Sequence, residues 1–543
     1  ALLVLAVHAL GWRTWRDLRT RVARCGPLPG GVALLAALVC ACLPVFALTL
    51  YPPTAFDETL YHLPFAKAFA ANQGLPFRET LRFPVAPQLA EILCGALLVL
   101  SGDVATHLPS ALAFVATALA LASWIGARNH LAAGGAAALW LGNPLTAWLG
   151  GTAYVDLPLT LFAVLAWTWW DRWRRGGATS GLALAGAFAG FAAATKYNGL
   201  LIVALLSAAT AIVAVRRRDP AALAKFLAVA ILALAPWYAR NFLQTGNPVF
   251  PLLPDLFGQN AWMTPDDLSI WQSGPRNIPA SVTGYAASRA RETVLHPLRL
   301  LEWPWTAAYR PSAFGGQPTL SPLLPLLILL AAVGGIAEPR MRPALGFAAA
   351  LFLTTTAHDP RLLLPAVALL EGAAALGLAW VLGRAAILQS RPAVALLTLV
   401  LAAPGAAYAG WKALRQGPPP SGAAERETYL SRSLRGYAQV ALVNRARGAG
   451  VTIYGLYLEN LAYYADGRFL GDWVGPYRYA RVERALGSGA ALAEELGRMG
   501  AGYFLVNLAV LRRPLPQDAA FQREFRVVAA DGTVALFERA GSR

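Results

Sequence analysis

Two adjacent carboxylates, Asp57 and Glu58, stand in the stretch YPPTAFDETLYHLP, from Tyr51 to Pro64. The stretch begins where a long apolar run, Gly31 to Leu50, stops, so both acids follow directly on a membrane-spanning length of chain. Ionised carboxylates near hydrocarbon are costly unless they face a wet cleft or a cation, which makes them functional candidates; the plainer alternative is that they solvate a helix end. Tyr61 follows Asp57, and His62 follows Glu58, at the i,i+4 spacing that shares a helix face. The other polar residues hardest to explain as membrane structure are Asp156, Lys196 and the turn holding His358, Asp359 and Arg361. Together they suit a site that handles an anionic, membrane-embedded substrate. Asp57 has the chemistry of a general base for an acceptor hydroxyl, while Lys196 and Arg361 can neutralise a phosphate leaving group. Arginine meets phosphate with a planar fork, and lysine acts as a compact point charge.

Each residue also has a structural explanation. Asp156, one residue before the apolar run at Leu157, fits an N-cap. Lys196 fits a side chain snorkelling from a span end, and Arg361 fits a pairing with Asp359. His62 and His358 read as ordinary polar residues, because no spacing resembles a zinc motif or an HExxH helix, and the need for a divalent metal stays open. A phosphate-binding GxxxxGK[ST] loop and a GxSxG nucleophile elbow are both missing from the sequence.

The elements that must position these groups follow from composition. Of 543 residues, 57% are hydrophobic and 14% charged, against about 45–50% and about 25% in soluble domains, which specifies an integral membrane protein. The mean hydropathy of +0.48 agrees. The formal charge of +17 does not indicate a nucleic-acid partner, because the basic residues fall in short loops between apolar runs, where they orient helices against membrane lipids. No signal-peptide cleavage site is evident, and Ala1 to Leu10 is expected to be the end of an upstream segment. The four cysteines, Cys25, Cys40, Cys42 and Cys94, two of them inside a span, suggest no disulfide framework.

Arg13, Arg16, Arg19, Arg21 and Arg24 precede the span Gly31–Leu50 and are expected inside, which places Asp57 and Glu58 outside. Glu91–Leu100 is too short to cross a core of about 30 Å at about 1.5 Å per residue and reads as an interfacial helix. Ten further spans are expected, at Val104–Gly126, Leu131–Leu149, Leu157–Trp170, Leu182–Ala194, Leu200–Val215, Ala221–Tyr238, Thr319–Ile336, Ala344–Ala357, Leu362–Leu382 and Ala393–Trp411. This parity puts Arg128, the cluster Arg172, Arg174 and Arg175, the triplet Arg216-Arg217-Arg218, and then Arg340, Arg342, Arg384 and Arg391 inside. Asp156, Lys196 and Arg361 fall outside with Asp57.

The expected fold is therefore an α-helical polytopic membrane protein of about eleven spans, residues 1–416, with external loops at 51–103 and 241–318. A Pro-rich linker at 417–424 leads to a small external α/β domain, residues 425–543. In that tail, Val451–Gly455 and Tyr503–Asn507 read as strands and Phe525–Glu538 as a hairpin around Asp531-Gly532. Glu459–Tyr464 and Ala490–Met499 read as helical. Trp262, Trp271, Trp303 and Trp305 are candidates either to stack on sugar rings or to anchor at the interface.

The chain resembles the bacterial GT-C membrane glycosyltransferases of the protein mannosyltransferase and aminoarabinose transferase type, including the rhizobial galacturonosyltransferase-like group. FDETLYHLP matches the family's acidic first external loop, and AYVDLPLTLF its second-loop "D.P" segment. ATKYNGLL resembles the "TK" at a span end, and DPRLLLPA the "R-Y-x-x-P" element, with Leu362 in place of Tyr. The resemblance runs from about Phe56 to Pro365. It implies transfer of a sugar from a polyprenyl-phosphate donor to an envelope lipid, glycan or protein on the outer face of the bacterial inner membrane, usually with inversion. It implies catalytic roles for Asp57 and Glu58, and substrate-binding roles for Asp156, Lys196, Tyr61, Arg361 and His358. One departure is visible: where aminoarabinose transferases carry an acid before a proline, this chain has Arg82-Phe83-Pro84-Val85-Ala86-Pro87, with Glu79 out of register, which weakens any expectation of a metal site or of that sugar. A transporter or flippase of a lipid-linked glycan is the alternative; its charges would be expected nearer mid-membrane.

Overall fold

The computed structural model describes residues 31–72, 74–126, 129–258, 262, 297–355, 359–383 and 391–541. The basic residues at 13–24, Cys25, Arg128, Trp271, His358 and Arg384 lie outside them, as does most of 259–296.

The chain is a polytopic bundle of apolar helices followed by a small α/β domain. In order, the bundle helices are α1 (Gly31–Leu48), α2 (Leu63–Asn72), α3 (Leu89–Ser101), α4 (Leu108–Ile125), α5 (His130–Leu141), α6 (Pro144–Gly150), α7 (Asp156–Arg174), α8 (Thr179–Thr195), α9 (Gly199–Arg217), α10 (Pro220–Thr245), α11 (Pro297–Tyr309), α12 (Leu324–Ala337), α13 (Arg342–Thr354), α14 (Leu364–Leu382) and α15 (Arg391–Gln416). Every expected span overlaps one of these helices, and the expected interfacial segment is α3, 13 residues long.

By length and composition, five described segments can cross a membrane singly: Asp103–Ile125, Gly199–Arg217, Pro220–Thr245, Leu364–Leu382 and Ala393–Gln416. The pair formed by α12 and Pro339–Thr354 would make a sixth, but it turns by 119° at its break. The expected span Leu131–Leu149 is broken into α5 and α6. Asn143 caps α6 by accepting from Leu145 N at 3.1 Å, and Pro144, which lacks an N–H, occupies the first turn.

Small residues set the spacing of these helices. In a bilayer, close backbone approach replaces the hydrophobic drive that packs soluble helices. Gly334 of α12 and Gly377 of α14 face one another so closely that a Cβ would lie 2.1 Å from Ala373 O or 1.9 Å from Leu330 O. Buried indoles fill the interior, and Trp140 donates its Nε1–H to Phe114 O at 2.9 Å.

In the tail, α16 (Ala423–Ser433) and α17 (Tyr437–Arg447) lead into β1 (Thr452–Leu456) and β2 (Arg468–Leu470). Then come α18 (Tyr479–Ala485), α19 (Gly489–Arg498), β3 (Tyr503–Asn507), β4 (Phe525–Ala530) and β5 (Val534–Arg539). The sheet order is β2-β1-β3-β5-β4. β1 runs parallel to β2 and β3, and the hairpin β4–β5 joins antiparallel to β3. Side chains alternate between faces. Tyr454 and Phe504 pack with α18 and α19, whereas Ile453 and Leu505 pack with Tyr429, Leu430 and Val440 of α16 and α17. Glu459–Leu461, expected as helix, is a single 3-10 turn, and β2 had no sequence counterpart because it is three residues long.

Candidate active site

The acidic pair sits at a local distortion. Residues Glu58–His62 form a π turn, the wider winding that recurs at functional sites. The Asp57 backbone N–H donates to the Tyr154 hydroxyl at 2.9 Å, and its carboxylate receives Arg361 Nη1 at 2.8 Å. Arg361 stands on the turn entering α14, with its guanidinium 5.1 Å from the Tyr154 ring centroid and Nη1 3.9 Å from Asp156 Oδ2. Asp156, the first residue of α7, accepts from Lys196 Nζ at 2.9 Å through its other oxygen. Lys196 ends α8. Thus four stretches separated by up to 304 positions form one charge chain, Asp57–Arg361–Asp156–Lys196, held by the ends of α7, α8 and α14 and by the π turn.

The chain is not fully satisfied. Among the described residues, Asp156 Oδ2 and Arg361 Nε are buried and take part in no hydrogen bond, which leaves polar capacity beside the two acids. The Lys196 side chain is 25% exposed while that of Arg361 is 8% exposed, so Lys196 is the cation an entering group reaches most easily. Asp359 Oδ1 accepts from Arg361 N and from Gln317 Nε2, both at 3.0 Å, and so fixes the turn. Burial, then the Asp57 charge, push the Tyr154 hydroxyl well above its usual range, keeping it a neutral O–H.

Glu58 is arranged differently from its neighbour. Its Oε1 accepts from Thr54 N and Ala55 N, both at 2.6 Å, and its Oε2 from Ala153 N at 2.8 Å, with His107 Nε2 at 3.5 Å. A carboxylate ringed by backbone N–H groups holds two loops together. The helix-face pairing of Glu58 with His62 is replaced by longer-range partners: His62 Nδ1 lies 2.7 Å from Glu91 Oε1 of α3. Tyr61 sets its ring edge-on to Phe83 at 5.2 Å. Asp156 is not an N-cap, since Val155 holds that position and both carboxylate oxygens face cations.

A divalent cation does not fit this donor set. The guanidinium of Arg361 lies between the two carboxylates that would have to share the ion. No group of three or more His, Cys, Asp or Glu side chains able to hold a metal occurs among the described residues.

An apolar cavity of about 610 Å³ opens between α11, α12, α13 and α14. Trp303, Trp305, Ile328, Phe352, Leu363 and Val367 contribute to its lining, and Leu363 is two residues beyond Arg361. Trp303 packs edge-on to Phe352. Trp262 is buried, donates to Glu79 O at 3.1 Å and packs edge-on to Phe250, so its ring is part of a core and is not open to a sugar.

The first loop is also gripped by the tail. Arg82 binds Asp472 through Nε at 3.0 Å and Nη2 at 2.7 Å, and reaches Glu459 Oε1 at 3.3 Å. Burial opposes its charge, yet Asp472 and then Glu459 hold the Arg82 guanidinium above even its usual range. Lys67 Nζ donates to Tyr463 O and Ala465 O at 3.2 and 2.9 Å, and Tyr463 N donates to Thr59 O at 3.1 Å inside the π turn. Tyr154, Arg82, His107 and Glu91 were not among the sequence candidates. Tyr154 lay in plain view within AYVD, two residues from Asp156.

Residues 425–538 match the family profile described as SF2091/S2213, and residues 112–290 match a domain of unknown function (DUF8201). The curated "Uncharacterized protein SF2093/S2215" of Shigella flexneri is 37% identical over 118 residues. That alignment takes in 21% of this chain and spans 58% of the relative's length. Among solved structures, ArnT from Cupriavidus metallidurans bound to undecaprenyl phosphate aligns at a TM-score of 0.54 and 15% identity, covering 94% of this chain and 98% of that one. The apo oligosaccharyltransferase of Archaeoglobus fulgidus aligns at a TM-score of 0.50 and 13% identity, covering 91% and 73%. The chain has the fold of the GT-C membrane glycosyltransferases.

Proposed function

We propose that this chain, built on the GT-C fold, is a glycosyltransferase that moves a sugar from a polyprenyl-phosphate donor to an acceptor hydroxyl. The observation that carries the reading is the charge chain Asp57–Arg361–Asp156–Lys196, with buried polar atoms in it that take part in no hydrogen bond among the described residues and an apolar cavity beginning two residues from Arg361. A lipid-linked phosphosugar needs that combination, a cationic anchor for phosphate beside a groove for its chain. The solved ArnT structure, which contains undecaprenyl phosphate, supports the same ligand class.

In the reaction, Asp57 takes the proton of the acceptor hydroxyl as its oxygen attacks the anomeric carbon. The bond from that carbon to the phosphate oxygen breaks, and polyprenyl phosphate leaves with the electron pair. Attack opposite the leaving group inverts the anomeric centre. Lys196, the more exposed cation, meets the phosphate, while Arg361 orients Asp57 and shares the developing charge. Asp156 holds both cations in place. Glu58 positions the loop, a role its backbone partners favour over contact with the substrate.

In this reading the site opens on the outer face of a bacterial inner membrane, where nucleotide sugars are scarce and lipid-linked donors are the practical source. Residues 425–543 then form an external domain after the linker at 417–424. The test is sugar transfer from a radiolabelled undecaprenyl-phosphate sugar in membranes holding wild type or Asp57→Asn. Loss of transfer in the variant is expected. Full transfer by the variant removes the mechanism, and lipid translocation without transfer by wild type favours a flippase.

A further inference from the structure

We propose that the tail carries a second binding site, for a saccharide, at the edge where its three parallel strands end. In open sheets, ligands gather beyond the carboxyl ends of parallel strands. Here Tyr457 leaves β1, Trp473 follows β2, and Asn507 closes β3. The rings of Tyr457 and Trp473 lie 5.6 Å apart, and both meet Tyr479, at 5.0 and 5.3 Å. Despite these neighbours Trp473 is 39% exposed.

Two features mark this edge as built for a ligand. Tyr457 has φ 61°, a left-handed backbone that a bulky side chain rarely adopts; such strain concentrates at binding sites. Gly471 has φ 109°, and a Cβ there would lie 2.3 Å from Gly455 O, so only glycine lets the chain leave β2 in the direction that presents Trp473. Polar groups flank the rings. The Tyr457 hydroxyl donates to Glu483, and the exposed Arg512 guanidinium sits 5.6 Å from the Trp473 ring centroid.

A pyranose offers an apolar C–H face and a rim of hydroxyls. Aromatic rings flanked by one carboxylate and one guanidinium answer both, whereas Glu483 disfavours a phosphate. Asp472, adjacent to Trp473, grips Arg82 in the same loop that follows the π turn. This inference rests on the glycosyl-transfer reading in one respect: the edge holds the non-reacting sugars of a glycan acceptor whose terminal hydroxyl reaches Asp57.

The test uses the full chain in nanodiscs on a printed array of neutral and acidic bacterial surface oligosaccharides. Wild type should bind a defined subset. Trp473→Ala and Arg512→Gln should each weaken that binding at least tenfold, and Trp473→Phe should keep most of it. If Trp473→Ala fails to fold, Arg512→Gln at an exposed position decides. No binding by wild type, or wild-type binding by a folded Trp473→Ala or by Arg512→Gln, overturns the proposal. Asp57→Asn should bind the array normally, so a failure of the catalytic reading would show as retained transfer and not as altered saccharide binding.

Discussion

Two buried ion clusters, about a loop apart, obey different rules. In the bundle, Asp57, Arg361, Asp156 and Lys196 form a chain in which, among the described residues, Asp156 Oδ2 and Arg361 Nε take part in no hydrogen bond and meet opposite charge only at 3.9 Å. At the contact with the tail, Arg82 is chelated by Asp472 and reaches Glu459, whose other oxygen accepts from the Tyr479 hydroxyl. The second cluster has closed its own accounts and can only hold the loop to the tail. The first is left incomplete, which costs free energy unless a ligand supplies the missing partners. Charge burial alone does not separate these two clusters; hydrogen-bond satisfaction does.

The comparison breaks most sharply at Asp57. Asp57→Asn should lower sugar transfer by about 10²-fold or more, in line with loss of a general base, while costing less stability than the loss of Arg82, because Asp156 and Asp359 still lie 3.9 Å from the Arg361 guanidinium. Arg82→Ala should do the reverse. Stranding Asp472 should cost about 3–5 kcal/mol, measured as lost thermal stability of the purified chain, and the double variant Arg82→Met with Asp472→Leu should recover much of it. Lys196→Gln should raise KM for the lipid donor more than it lowers kcat, because Lys196 is the accessible member of the chain; an unchanged KM would move phosphate recognition elsewhere.

The smallest effect lies in the tail hairpin. Although its slight burial works the other way, hydrogen bonds from Val534 N and Thr533 N depress the Asp531 carboxyl to about 2. A depressed folded value means that its contribution is complete above the ordinary carboxylate pKa of about 3.9 and is lost as pH falls toward 2. Amide exchange in the β4–β5 hairpin of the full chain should therefore quicken across that window, and Asp531→Ala should flatten the dependence.

Much of the bundle could be read from the sequence, because an apolar run long enough to span has few alternatives to a helix. Asp57, Asp156, Lys196 and Arg361 could be found as polar residues at span ends with no evident structural purpose, and the fold brings these four into contact. Their partners were hidden. Tyr154 and Arg82 are ordinary loop residues until tertiary structure sets them beside residues 97 and 390 positions away. Glu58 resembled Asp57 by adjacency, yet the π turn sends the two carboxylates in different directions, and no periodicity argument anticipates that winding. His358, also a sequence candidate, lies outside the described residues.

The hydrogen bond from Tyr463 N to Thr59 O ties the tail to the backbone two residues past Asp57. A nanobody that prised the tail away would tug on the proposed reaction centre without entering it, so on that proposal inhibition of this chain need not begin with a mimic of donor or acceptor.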